Sequence, residues 1–374
     1  MKKFCFLNAL PRSATFYIQR RQARTLIADG YEVYFVVADN KPSEIIDGIH
    51  YVPAGIERGN YLQRVLQMPN KVYKATLSID ADAYQTIDPS LLSICVKLKR
   101  KKKKVFFNLL EAHPFTFYGK SRLPYFISRI FVYVMSIKMK TSLKKIDAVF
   151  AVSEDIMDYL KQWGVNNSYL MGNYPEIDHS FHLSKEEYMN RENVAIYYGH
   201  IPRTSRQENF IDVIDAMPDV KYMLAGKFWD NSYFESLKER SGWNKVEFID
   251  GFDRKELPSI LSKCTISNTA RNLMQVTKGQ AVKGSLGIIK IFESMEAALP
   301  LLLADVPVYR ELVNKYDCGV LVDVNNKDSI RQGIEYLVIN KERAYEMGQN
   351  GRKAVIEHYS WDVASKLYLK VING

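Results

Sequence analysis

A carboxylate sits at the start of a helical run in the stretch that begins at Lys290, KIFESMEAALPLLLADVPVYRELVNKYDCGVLVD. Ile288, Ile291, Phe292, Met295 and Leu299 recur at helical spacing and form one apolar face, and Pro300 is expected to close the helix before the apolar run LLLA. Glu293 lies beside that face. An ionised side chain there stabilises the positive end of the helix dipole, and as an acceptor-only group it can also receive hydrogen bonds from a ligand. Other residues offer different chemistry. Asp80 and Asp82, in SIDADAYQTIDP, make a D-x-D pair of hard oxygen donors of the kind that hold divalent ions. Such short spellings recur by chance, and this one ends ATLSID, which reads as an apolar strand, so a structural role and no protein-bound metal is expected. Arg12, just after the first strand, could meet an anionic group. His113, in a loop after a strand, could handle protons, though histidines so placed are more often structural.

The elements that would position these residues follow a repeated grammar. KFCFLNAL reads as a strand, IQRRQARTLIADG as a helix with Gly30 at its C-cap, and YEVYFVVAD as a buried strand, which is a βαβ unit. ATLSID, KVFFNLL and AVFAVS read as further strands, each followed by helical pattern. After NYPEIDHSFHL the grammar restarts with VAIYYG, VKYMLAG, VEFIDG, CTISN, PLLLAD and GVLVD, alternating with ENFIDVIDAM, ELPSILSK and SIRQGIEYLVI. The expected fold class is therefore α/β, with two Rossmann-like, doubly wound domains facing a central cleft. The expected boundaries are 1–178, 190–358 and a final helix at 359–374 returning to the first domain. Ligands of such sheets bind at the carboxyl ends of the strands.

A chain of 374 residues suits two domains, and 47% hydrophobic with 25% charged residues excludes a disordered chain. The opening MKKFCFLNALPRSATFY has a basic pair, then an apolar run too short for a signal peptide and broken by Asn8 and Pro11. Cys5, Cys95, Cys264 and Cys318 form no CxxC and are expected to be buried free thiols in a reducing cytosol. The net charge of +10 is uneven: 26 Lys and Arg face 16 Asp and Glu through residue 180, and 26 face 26 beyond it. A basic half implies an anionic partner, either nucleic acid or an acidic membrane surface. No RNP, KH or helix-turn-helix spelling supports nucleic acid.

The run from YYG at 197–199, through MLAG, VEFIDGF and ELPSILSKC, to KIFESMEAALPLLLAD and CGVLVD resembles the retaining GT-B glycosyltransferases of the family 4 type, as found in bacterial surface-polysaccharide synthesis. The first half resembles them more loosely, through IDP at 87–89, FFNLLE at 106–111, DAVFAVSE at 147–154 and NYPE at 173–176. The resemblance implies that Glu293, in the K-x-F-E helix with Lys290, accepts hydrogen bonds from the ribose of a nucleotide-sugar while the helix N-terminus faces the diphosphate. Many members carry an acidic residue eight positions earlier, where this chain has Ser285. The Gly-containing turn of the family falls on GHIPRTSRQENF, so Gly199 with Arg206 or Arg203 is expected at the diphosphate. Glu111 resembles the acidic residue that ends the family's fourth-strand motif, but Asn108 and Leu110 stand where Asp and His are common; His113 is a substitute for proton handling. D-x-D metal binding belongs to another glycosyltransferase architecture. The implied co-substrate is UDP- or GDP-linked, with no further cofactor.

KSRLPYFISRIFVYVMSIKMKTSLKK, from Lys120 to Lys145, combines aromatic and basic residues. Its apolar part is too short and interrupted to span a bilayer. It suits the interface, with Tyr125, Phe126, Ile130, Phe131 and Tyr133 inserted and Lys138, Lys140, Lys144 and Lys145 near lipid headgroups. The competing expectation is a core helix with a solvated basic end. KLKRKKKK at 97–104 reads as a basic helix end and loop that adds to the same field.

The expected function is metal-independent hexosyl transfer with retention, from a nucleotide-sugar to a hydroxyl of a glycan or polyprenyl-diphosphate-linked acceptor. Its expected place is the cytoplasm, peripheral on the inner face of the cell membrane. The alternatives are a nucleotide-sugar epimerase of the same architecture and a non-enzymatic basic scaffold for membrane or RNA.

Overall fold

The structure is a computed structural model that describes residues 1–15, 17–55, 67–110, 125–272 and 285–374, without the side chains of Tyr125 and Ser128. The chain divides into two compact units, Met1–Asn173 with Ser365–Gly374, and Tyr174–Ala364. Glu111 and His113 lie outside the described residues.

In the first unit, the described strands are β1 (Lys3–Leu7), β2 (Glu32–Val37), β3 (Glu44–Ile46), β4 (Ile49–Pro53), β5 (Ala83–Thr86), β6 (Lys104–Leu109), β7 (Ala148–Ala151) and β8 (Ser168–Leu170). They form one sheet in the order β3-β4-β2-β1-β5-β6-β7-β8, parallel except for the edge strand β3. Phe4, Cys5, Phe6 and Leu7 are fully buried, which is why β1 reads as a continuous apolar run and not as an alternating one.

ATLSID is not a strand. It is the end of the helix Met68–Ile79, whose buried Met68, Val72, Thr76 and Ile79 keep helical spacing. Asp80 stops the helix in the left-handed region, at φ 46. The strand comes next, as β5, and Gln85 and Thr86 disguise it because both are polar and buried. Their hydrogen bonds explain the burial. Gln85 Nε2 donates to Gln22 Oε1 at 2.8 Å and to Asn108 Oδ1 at 3.0 Å, and Tyr368 donates to Gln85 Oε1 at 2.8 Å. Asn108 thus belongs to a buried polar layer under the last helix, Trp361–Asn373.

In the second unit, the described strands are β9 (Asn193–His200), β10 (Val220–Lys227), β11 (Val246–Asp250), β12 (Ile266–Asn268), β13 (Leu301–Ala304) and β14 (Gly319–Val322). They run parallel in the order β11-β10-β9-β12-β13-β14, so the chain reverses its direction of winding between β9 and β12. At such a switch point the loops leaving two neighbouring strands diverge and leave room for a ligand.

The helix that carries Glu293 runs from Ile289 to Glu296 and ends before Leu299. Ala298, at φ 53, turns the chain, and the Leu299 amide returns to the Ser294 carbonyl at 3.0 Å. Pro300 follows an end that is already made. All four cysteines are buried and in no disulfide, and burial pushes Cys95, Cys264 and Cys318 up to about 12.

Candidate functional site

Three segments meet at the carboxyl edge of the second sheet, beside its switch point. The first leaves β9 through Gly199 and His200 into the short 3-10 turn Arg203–Ser205. The second leaves β12 toward Arg271 and Asn272, and the Asn272 amide donates to the Thr204 carbonyl at 2.7 Å, tying the two loops together. The third is the start of the Glu293 helix, where Ile288 is extended and no described side chain caps the helix. Uncapped first-turn amides leave donors for an anion.

Hydroxyl groups fix that helix onto the sheet. Tyr198, on β9, donates to the Lys290 carbonyl at 2.8 Å and lies 3.1 Å from Ser294 Oγ, which is 2.6 Å from Ser267 Oγ on β12. Two strands on either side of the switch therefore set where Lys290 and Glu293 stand.

Gly199 is left-handed at φ 85, and a methyl there would sit 3.0 Å from Cε of Lys290. The lysine passes close over the bare backbone. Its Nζ donates to the His200 carbonyl at 3.2 Å and lies 4.2 Å from the Tyr197 ring centre. Burial, with the charge of Arg271 second, pulls the Lys290 ammonium down to about 7. His200 is also lowered, chiefly by burial, and its ring lies 3.8 Å from that of the exposed Trp229, tilted by 31°.

Glu293 is 6% exposed and ion-paired with Arg254, which comes from the turn after β11. It is a buried carboxylate and not a solvated dipole partner. Arg203 Nε donates to Asp230 Oδ2 at 2.6 Å and its Nη2 to Ser232 Oγ at 2.8 Å, with the guanidinium 5.0 Å over the Tyr233 ring. Arg206 is more loosely held. It is left-handed at φ 51, and it donates to Asn325 Oδ1 at 3.1 Å and to Glu208 Oε1 at 3.3 Å. Ser285 builds the approach to the helix: its Oγ accepts from the Gly287 amide at 3.2 Å and its carbonyl from the Tyr309 hydroxyl at 3.1 Å.

Glu293, Lys290 and Gly199 are thus gathered on one sheet edge, with Arg203 and Arg206 in the turn that follows β9. Sequence reasoning missed Arg254, Arg271, His200 and Trp229. A usable signal existed, since Arg203, Arg254 and Arg271 are each the first basic residue after the carboxyl end of a strand. That rule collects cations at the ligand edge of a parallel sheet.

Residues 180–354 match the family described as glycosyl transferases group 1. The matched segment lies within the second unit, Tyr174–Ala364. EpsD of Bacillus subtilis (strain 168), a glycosyltransferase by name, is 21% identical over 178 residues, 46% of this chain and 44% of that protein, so the chain matches less than half of that relative's length. Sucrose-phosphate synthase from Thermosynechococcus elongatus superposes with a TM-score of 0.74 at 14% identity, over 100% of both chains. HepE from Anabaena, in complex with UDP and glucose, does so with a TM-score of 0.72 at 12% identity, again over 100% of both. The fold is GT-B.

All the gathered residues lie inside the matched segment. Arg12 and the D-x-D pair do not, and neither is open to a ligand in the way the sequence suggested. Arg12 Nε donates to Asp39 Oδ2 at 2.8 Å, and its Nη1 is paired with Glu44, so it is a buried cation already neutralised. Asp80 pairs with Lys103 at 2.9 Å, and Asp82 accepts from the Lys3 amide at 2.8 Å. Both stand at the amino edge of the first sheet, where β1 and β5 begin. Among the described residues no group of three or more His, Cys, Asp or Glu is placed to hold a metal ion.

The aromatic and basic segment forms one helix, Tyr125–Leu143, and no helix among the described residues is long and apolar enough to cross a membrane. Phe126, Ile130 and Tyr133 are exposed as expected, but Phe131 is half-buried, and the exposed row also includes Ile127, Val134 and Ile137. Lys138, Lys144 and Lys145 are exposed and Lys140 is half-buried.

Proposed function

We propose that the protein is a retaining glycosyltransferase of the family 4 type that moves a hexosyl group from a UDP- or GDP-linked sugar to a hydroxyl of a glycan or lipid-linked glycan. Its role in this reading is surface-polysaccharide synthesis, in the cytoplasm and peripheral to the inner face of the cell membrane. The observation that carries the reading is the buried Glu293, held with Lys290 at the open start of a helix beside the switch point, inside the segment that matches glycosyl transferases group 1.

The roles follow from chemistry. Glu293 accepts from the two ribose hydroxyls, since an ionised carboxylate has room for a bidentate diol beside Arg254. Lys290 and the first-turn amides meet the diphosphate, and a phosphate beside Lys290 restores the charge that burial suppresses. Arg206, with its long and partly uncharged contacts, is freer than Arg203 to turn toward the leaving group. During transfer the bond from the anomeric carbon to the phosphate oxygen breaks and a bond to the acceptor oxygen forms on the same face. The acceptor proton passes to the departing phosphate, with Glu111 and His113 as the chain's candidates for steering it. Charge on the leaving diphosphate is met by cations and amides of the second unit, and no protein-bound metal is needed. HepE, which binds UDP and glucose in its own structure, makes a UDP-sugar the first donor to try.

The experiment is a screen of UDP- and GDP-sugars for slow hydrolysis and thermal stabilisation. A true donor at 100 times its Kd stabilises the protein by about 2.7 kcal/mol. A chain that no nucleotide-sugar or nucleoside diphosphate stabilises is not a transferase of this kind.

A further inference from the structure

The helix Tyr125–Leu143 presents its apolar side to solvent. Phe126, Ile127, Ile130, Tyr133, Val134 and Ile137 are between 47 and 72% exposed, while Val132, Met139 and Leu143 are buried on the opposite side. At about 100° per residue the six exposed side chains fill an arc of roughly 120°, and the buried three lie across the helix axis from it. A core helix has the reverse arrangement. Six large apolar side chains in one unbroken row are more than the scattered exposure that any soluble surface tolerates.

The residues bordering the row decide what can cover it. Between Tyr125 and Lys145 the chain has Arg129, Lys138, Lys140, Lys144 and Lys145 and no Asp or Glu. On the helical wheel Lys138 borders one side of the arc, and Arg129 and Lys140 border the other. Lys144 and Lys145 extend the charge beyond the helix end. A second copy of the chain would bring five positive charges against five. A bilayer with anionic headgroups accepts both features, apolar side chains below the phosphate plane and ammonium groups level with it.

We infer that this helix lies flat in an anionic lipid surface, inserted through Phe126, Ile127, Ile130, Tyr133, Val134 and Ile137. The row spans about 16 Å along the helix at 1.5 Å per residue, so the contact is shallow and in-plane. This deepens the membrane part of the transferase reading and rests on that reading only for the use to which the surface is put.

The test is co-sedimentation of the full chain with phosphatidylglycerol-containing vesicles, beside pure phosphatidylcholine vesicles, without donor or acceptor. Wild type is expected to pellet with the anionic vesicles and to be released by salt. Phe126→Ser with Ile130→Ser and Tyr133→Ser should stay in the supernatant at an unchanged melting temperature. A second variant, Lys138→Gln with Lys144→Gln and Lys145→Gln, should lower partitioning by about fivefold per lysine. Ile130→Trp should show emission that shifts to the blue with anionic vesicles. The proposal is overturned if wild type remains in the supernatant with both vesicle types, or if the serine variant pellets like wild type. It is equally overturned if wild type is a dimer that the serine variant dissociates, since a second copy then covers the row. Failure here leaves the nucleotide-sugar screen unaffected, so the two readings fall separately.

Discussion

Arg254 holds Glu293 in an ion pair, joining the turn after β11 to the helix that follows β12. The carboxylate is buried, whereas the arginine is 39% exposed. Arg254 therefore holds a water-excluded carboxylate from the solvent side, where a polar ligand can share it.

Glu293→Gln keeps the size of the side chain and loses its charge. Donor affinity is expected to fall by about 1.5–3 kcal/mol, or roughly one to two decades, because a hydrogen bond to a charged group is replaced by a neutral one. Calorimetry with the nucleotide-sugar found by screening reads this directly, and unchanged affinity removes the ribose role from Glu293.

Lys290 supplies a pH signature. Its ammonium is lowered to about 7, so at pH 8 the free protein holds this lysine largely neutral. A diphosphate binding beside it raises that value and draws a proton from the buffer. The observed binding enthalpy at pH 8 should change with the ionisation enthalpy of the buffer, and the dependence should vanish in Lys290→Met. The sign also runs through stability: an ordinary lysine in the unfolded chain binds its proton up to about 10.4, so this residue favours folding more as pH rises above 7.

Turnover should survive exhaustive chelation, and Asp82→Asn should be active. Asp82 receives the Lys3 amide at the amino edge of the first sheet, opposite the edge at which such sheets take ligands. Activity abolished by chelator, restored by Mn²⁺ or Mg²⁺ and equally lost in Asp82→Asn would place a metal on this pair.

Gly226→Ala should destabilise the second unit by more than about 2 kcal/mol in urea unfolding. Gly226 pairs with Gly199 across β9 and β10, and a methyl there would lie 1.8 Å from the Gly199 carbonyl oxygen. Gly30→Ala is the control: φ is 87 but nothing stands within 4 Å, so only the backbone cost of about 1–2 kcal/mol applies.

The second unit was legible because its strands are buried on both faces and its helices keep a clean apolar period. VAIYYG, VKYMLAG and PLLLAD all announce themselves. β5 escaped because its side chains satisfy one another in a buried polar layer, a relation that no local pattern records. Glu293 and Lys290 could be picked out by position, but the burial of Glu293 and its pairing with Arg254 depend on a turn almost forty residues away in sequence. The row on Tyr125–Leu143 was half legible. Its composition pointed to an interface, yet Phe131 could be separated from Ile127, Val134 and Ile137 only once the buried side of the helix was known.

Ser365–Gly374 belongs to the first unit, where Tyr368 completes the hydrogen bonding of Gln85 and Asn373 meets Tyr31 and Asp29. During translation these residues emerge after the whole of the second unit. The polar layer around Gln85 is thus completed late, with Gln85 Oε1 lacking its Tyr368 donor until the ribosome has passed residue 368. A nascent chain ordinarily folds its leading domain first. Here the first unit gains its last buried hydrogen bonds only after the second unit has been made.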